Sequence, residues 1–272
     1  MHKGIFITGT DTDVGKTIVT AGLLNLLRTN GVDAVPMKPV QTGCVLRDGI
    51  QIPYHGHSSR RNGEYQFEHS FSSNKNRLTY NAPDLDFVLS CAGLTSTEEE
   101  YKHMSPYRYE PACSPHLAGR MVGDFPDIEH IVLNLKKLEK NREFILVEGA
   151  GGIMVPLNDN DMMLDLMKVI GYPVILVSHT GLGTINHTLL SIQVLRNAGI
   201  DIMGVIFNNT QLSSEASEFI RKDNVKTIAE RGRVNVLGVV DYFDDIQNNF
   251  DMFKDSFNKA IDYDTINRLI GN

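Results

Sequence analysis

Six short runs of apolar, largely β-branched residues recur along this chain, at 5–8, 34–37, 144–147, 174–177, 202–207 and 236–240. Such a run has no polar face, so a strand made from it must be covered on both sides, as in a parallel sheet. Helical patterns separate the runs. Residues 17–28 place Val19, Leu23, Leu26 and Leu27 on one side; residues 184–197 do the same with Ile185, Leu189, Ile192 and Leu195, then meet Gly199. Strands alternating with helices predict one α/β domain, a mostly parallel sheet flanked by helices with ligands at the carboxyl ends of the strands. The expected boundaries are an α/β domain over 1–242, interrupted by a polar insertion at 44–81, and a C-terminal helical extension over 243–272.

The insertion is rich in Ser, Asn and Arg and shows little periodicity, which reads as a long loop or lid. His55, His57 and His69 lie in it at irregular spacing, the pattern of a solvated loop more than of a metal site.

With 272 residues the chain has ample length for a core. A net charge of −7 speaks against a general nucleic-acid binder or an anionic-membrane binder, while leaving room for a small anion held by a few local cations. Cys44, Cys91 and Cys113 form no C-x-x-C pair and suggest neither a zinc site nor a disulfide framework, so a reduced, cytoplasmic setting is expected. No apolar run reaches the roughly 20 residues that span a bilayer. The first strand-like run begins so early that no signal peptide is expected.

The first run leads into G-T-D-T-D-V-G-K-T, residues 9–17. A phosphate-binding loop follows a buried strand, wraps backbone N–H groups around phosphate oxygens and opens a helix whose dipole favours the anion. It is usually written G-x-x-x-x-G-K-[ST]; here Gly9 stands one residue too early, so the loop is stretched rather than decayed. Gly15 keeps a side chain away from the phosphate, Lys16 brings charge to the outer phosphates, and the Thr17 hydroxyl can ligate Mg²⁺. The extra length also places Asp11 and Asp13 beside a triphosphate, an unfavourable position unless they face a cation or an amine. An amine-bearing substrate would account for Asp13; for Asp11 a loop-capping role stands equally open.

Four further stations lie at predicted strand ends. Lys38, in M-K-P-V-Q-T-G, can reach the same phosphates and add to Lys16 in neutralising a transferring phosphoryl group. Glu148 ends the run F-I-L-V-E before the glycines Gly149, Gly151 and Gly152, where phosphate-loop enzymes place an acid on the Mg²⁺ side. Free N–H groups around Gly183, Thr184 and Ile185 could hold a carboxylate at a helix start. Asn208, in F-N-N, offers an amide that could read a base edge.

Taken together, G-T-D-T-D-V-G-K-T, K-P-V-Q-T-G, V-E-G-A-G-G and G-x-I-N-H resemble the dethiobiotin synthetase family over residues 1 to about 240. The resemblance implies a phosphate-loop NTPase-like fold, a homodimer with active sites at the interface, and closure of a ureido ring on 7,8-diaminononanoate with ATP, Mg²⁺ and CO₂. It implies ATP contacts at Asp13, Val14, Gly15, Lys16, Thr17, Ile18, Glu148 and Asn208. Lys16 and Lys38 would hold phosphate and carbamate oxygens, and Asp13, where the family usually has Glu, would face the diamine. Thr42 would meet the substrate through its hydroxyl, and Gly183, Thr184 and Asn186 would hold its carboxylate. The Mg²⁺ ligands implied are Thr17, Glu148 and an acid at a helix start. That acid is Asp84, which follows Pro83, with Asp86 as the alternative. A related amidoligase and a nucleotide-switched ATPase are the competing classes. The first usually carries a glutamine-hydrolysing domain, and the second an extra lysine early in the loop, where Thr10, Asp11 and Thr12 stand.

Overall fold

The structure, a computed structural model, describes residues 2–46, 58–61, 64–67, 80–210 and 215–271. All six apolar runs become strands of one sheet: β1 (Gly4–Gly9), β2 (Ala34–Met37), β3 (Phe144–Gly152), β4 (Val174–His179), β5 (Ile202–Asn208) and β6 (Val236–Val240). Their order is β6-β5-β4-β1-β3-β2, and every pairing is parallel. Parallel pairing brings all carboxyl ends to one edge, so Gly9, Lys38, Glu148 and Asn208 meet there although they lie far apart in sequence. β3 runs further than its apolar core suggests. Its glycines continue the strand through an irregularity in which Gly151 takes a left-handed φ of 65°, and Gly152 then pairs with Gly9 of β1.

The helices are α1 (Lys16–Thr29), α2 (Pro83–Cys91), α3 (Glu98–Met104), α4 (Pro115–Val122), α5 (Ile128–Asn141), α6 (Met163–Ile170), α7 (Thr184–Asn197), α8 (Glu215–Gly232), α9 (Phe250–Ala260) and α10 (Tyr263–Ile270). They cover both faces. Phe6, Ile145, Val147, Val174 and Leu176 look into one core with α3, α5, α6 and α7. Ile5, Ile7, Leu146, Ile175 and Val177 look into the other with α1, α9 and α10. This alternation along strands with no polar face is the signature of a sheet buried on both sides.

The C-terminal segment contributes to the second core directly. Phe253, Phe257, Ile266 and Ile270 are fully buried. Gly22, in the middle of α1, makes room for one of them: a Cβ there would lie 2.3 Å from the Phe257 ring. Sequence patterning gives no reason for a glycine inside a helix, where it costs about 1 kcal/mol relative to Ala; the close approach of α9 does.

Within the polar insertion, the described residues form short antiparallel pairs rather than a featureless loop. Val45 pairs with Asn81 and Leu46 with Tyr80, while Ser58–Arg61 pairs with Glu64–Phe67. His55, His57 and His69 lie outside the described residues. The first pair closes the insertion at its base. Arg108 donates to the Tyr80 carbonyl at 2.8 Å, and the Ala82 N–H donates to the Tyr101 hydroxyl at 2.8 Å. The chain therefore returns beside the place it left, and α2 begins next to the end of β2.

Candidate active site

The loop between β1 and α1 is held by its own backbone and by one apolar anchor. Gly15 has φ 95° and Asp13 φ 58°, left-handed values that give the loop its turn. Val14 is buried in the core of the second face, and Ile18 packs against it, so their side chains serve to anchor the loop. Asp11 accepts from the Thr12 N–H at 2.7 Å, the loop-capping arrangement, and Asp13 is exposed at the cavity wall. No side chain caps the start of α1, in contrast to α3, α5 and α10, which Thr97, Asp127 and Asp262 cap. Its first N–H groups remain for a ligand, and the helix dipole makes that ligand an anion.

A cavity of about 440 Å³ opens over this loop, lined among others by Asp13, Lys16, Thr17, Lys38, Thr42 and Glu148. Lys38 is buried in its lining. Its Nζ donates to Glu148 Oε1 at 2.5 Å and lies 2.8 Å from Asp84 Oδ2. Burial works against the lysine's charge, but the two carboxylates outweigh it and hold the Lys38 pKa above its ordinary value. Asp84 is the mirror case. Burial pushes its carboxyl upward, yet the charge of Lys38 keeps it below the usual carboxylate range. Asp86 goes elsewhere, accepting from the Tyr101 hydroxyl at 2.7 Å.

Lys16 donates to the Asp11 carbonyl at 2.8 Å. Burial, with the charge of Lys38 nearby, lowers its pKa to about 8. The Thr17 hydroxyl donates to Glu148 Oε1 at 2.8 Å. Thr17, Asp84 and Glu148 thus line one cavity with a hydroxyl and two carboxylates, and both carboxylates meet Lys38 Nζ. Mg²⁺ is bound in this way by hard oxygens, through one or two carboxylates together with substrate phosphates and retained waters. Among the described residues there is no group of three or more His, Cys, Asp or Glu that could form an all-protein cage. The donor set suits an ion brought in with a nucleotide.

Four expected participants do not line this cavity. Asn208 is buried, and its Nδ2 donates to the Val14 carbonyl at 3.3 Å, bracing the loop. A Cβ at Gly15 would meet that amide nitrogen at 2.1 Å, so Gly15 is required as much by Asn208 as by a phosphate. The Thr184 hydroxyl is consumed by a buried cluster with Ser178, at 2.9 Å, and with the His179 carbonyl, at 2.5 Å. Its N–H is not free either, donating to the Gly181 carbonyl at 3.3 Å. Gly183 and Asn186 line a separate groove of about 530 Å³ with Leu182 and Leu190, away from the phosphate loop. Leu182 is 86% exposed and Leu190 58%.

Gln41 is the residue of this site that patterning passes over. It lies inside the conspicuous K-P-V-Q-T-G segment, but a glutamine beside a strand end carries no signal until its burial and partners are seen.

Residues 3–249 match a family model described as an AAA domain. The ATP-dependent dethiobiotin synthetase BioD of Clostridium novyi is 33% identical over 275 residues, with all of both chains covered. That of Anoxybacillus flavithermus is 35% identical, covering 88% of this chain and 91% of its own. That of Halalkalibacterium halodurans is 36% identical, covering 90% and 86%. Among solved structures, the MinC:MinD cell division complex of Aquifex aeolicus superposes with a TM-score of 0.54 at 17% identity, covering 100% of this chain and 97% of that one. The Pyrococcus furiosus cell division ATPase MinD gives 0.51 at 17% identity, covering 99% and 100%. At that identity the likeness speaks to the fold.

Proposed function

This chain belongs to the ATP-dependent dethiobiotin synthetase family, and from that premise we propose that the cavity over the phosphate loop closes a ureido ring on 7,8-diaminononanoate, as a cyclo-ligase of biotin biosynthesis. One amine adds to CO₂ and releases a proton, giving a carbamate. A carbamate oxygen then attacks the γ-phosphorus of ATP while the bond to the β-phosphate oxygen breaks and ADP leaves. The second amine attacks the carbamoyl carbon, the carbon–oxygen bond to phosphate breaks, and inorganic phosphate departs as the ring closes.

The observation that carries this reading is Lys38, a buried cation held between Asp84 and Glu148 in the cavity that Lys16 and Thr42 share. Two lysines at one cavity can offset the charge gathered when a carbamate oxygen approaches a triphosphate. Lys16 and the uncapped start of α1 hold phosphate oxygens, Lys38 faces the carbamate, and Asp13 and Thr42 face the diamine. Mg²⁺ bound by Thr17, Asp84 and Glu148 would supply further positive charge to the phosphates.

The groove at Gly183 and Asn186 is read as part of a homodimer interface, from which these residues hold the diamine carboxylate in the partner's site. The exposed Leu182 and Leu190 beside it support this, since adjacent large apolar side chains mark contact surfaces. Among the described residues no helix is long and apolar enough to cross a membrane. The cysteines are free. We place the enzyme in the cytoplasm.

The test is direct. Purified protein with the diamine, ATP, Mg²⁺ and bicarbonate yields dethiobiotin, ADP and phosphate in equal amounts; folded protein that makes no dethiobiotin rules the reading out.

A further inference from the structure

The hydrogens of Lys38 are all turned to the protein. An ammonium carries three, and Nζ faces three acceptors: Glu148 Oε1 at 2.5 Å, Asp84 Oδ2 at 2.8 Å and, more distantly, the Gly149 carbonyl at 3.4 Å. While these contacts hold, no hydrogen is left for a carbamate. Glu148 is committed in the same way. Its Oε1 also accepts from the Thr17 hydroxyl at 2.8 Å, so both lone pairs of that oxygen are taken. Lys38 and Glu148 are both buried, where a charge without a partner is costly.

Asp84 and Glu148 are also the carboxylates that suit Mg²⁺. A lysine ammonium and a divalent cation on the same oxygens repel each other, and more strongly in a buried site than in water. Exchange relieves the repulsion. Lys38 has a short way to go, because the Gly149 carbonyl can keep one of its hydrogens while the other two leave the carboxylates.

We propose that Lys38 is an internal counter-ion that yields Asp84 and Glu148 to a divalent cation and thereby turns two hydrogens toward the carbamate. Lys38 thus disfavours metal binding before nucleotide, and becomes ready for the second substrate only once nucleotide and metal are in place. The inference rests on the reading of Thr17, Asp84 and Glu148 as metal ligands; the ring-closing reading enters only in naming the anion that Lys38 then meets.

Mn²⁺, which also prefers oxygen ligands and is visible by electron paramagnetic resonance, serves as the probe. With a nonhydrolysable ATP analogue present, Asp84→Asn and Glu148→Gln each weaken Mn²⁺ binding; wild-type affinity in both defeats the metal site itself, and this proposal with it. Without nucleotide, Lys38→Met binds Mn²⁺ roughly 10-fold or more tightly than wild type, since an opposing charge has gone, and adding Asp84→Asn cancels the gain. A second measurement needs no variant at Lys38. In wild-type crystals grown with Mg²⁺ and the analogue, Lys38 Nζ lies beyond hydrogen-bond range of both carboxylates. Three results overturn the proposal while leaving the metal site standing: equal Mn²⁺ affinity in wild type and folded Lys38→Met, a gain that survives Asp84→Asn, or a metal seated on Asp84 and Glu148 with both Lys38 contacts intact.

Discussion

Lys38 Nζ stands 2.8 Å from Asp84 Oδ2, joining the end of β2 to the first turn of α2 across the whole polar insertion. The two residues are separated by 46 positions (84 − 38), and the insertion's base, closed by the Val45–Asn81 pairing, makes their meeting possible. Asp86, two residues on, is turned to Tyr101.

The two aspartates should respond differently to removal of charge. Asp84→Asn is expected to lower kcat/KM by roughly 10²-fold, the scale for deleting one charged group at a transferring phosphoryl. Asp86→Asn should leave kcat/KM within about 3-fold and destabilise the fold by about 1 kcal/mol, the worth of one hydrogen bond. Steady-state kinetics and chemical denaturation of both variants decide it; equal losses of activity would dissolve the distinction.

The same pair sets an acid limit. The Asp84 carboxyl is held below its ordinary 3.8 in the folded protein. Its contribution to stability is therefore present above that value and disappears as pH falls through the lower folded one. Thermal melting followed downward from about pH 5 should show a loss in wild type that Asp84→Asn lacks.

Lys16 should make nucleotide binding proton-linked. In the ligand-free site its pKa is about 8, against an ordinary 10.5. Phosphate oxygens favour the charged form, so ATP binding at about pH 8.5 takes up protons, and less so near pH 7, where Lys16 is already charged. Between the two pKa values the folded, ligand-free state binds fewer protons than the unfolded one, so this group adds stability as pH rises. Calorimetry in buffers of different ionisation enthalpy measures the uptake. Lys16→Met should abolish it, and identical uptake in both proteins would refute the assignment.

Gly22→Ala places a methyl 2.3 Å from the Phe257 ring. Despite the higher helix propensity of alanine, overpacking should destabilise by about 1–3 kcal/mol. Phe257→Ala should cost about 3–5 kcal/mol. Truncation after residue 242 removes Phe253, Phe257, Ile266 and Ile270 from the second core and should prevent stable folding. A truncated chain that melts like the full one would show that the C-terminal helices are dispensable.

Much of this protein was determined by local sequence. Continuous apolar runs have no polar face to expose, so 5–8 and 174–177 had to become covered strands, and a glycine-rich turn before a helix at 9–17 had to leave N–H groups open to an anion. Both follow from forces that act within a few residues: side-chain burial and unsatisfied backbone donors. The tertiary structure decided everything that needed two distant segments at once. Which aspartate meets Lys38 depended on how the insertion closes. Asn208 braces Val14 because β5 ends behind the loop, and Gly22 is a glycine because α9 lies against it. Hydrogen bonds and steric contacts act over a few ångströms, and only the folded chain brings residues from opposite ends of the sequence within that range.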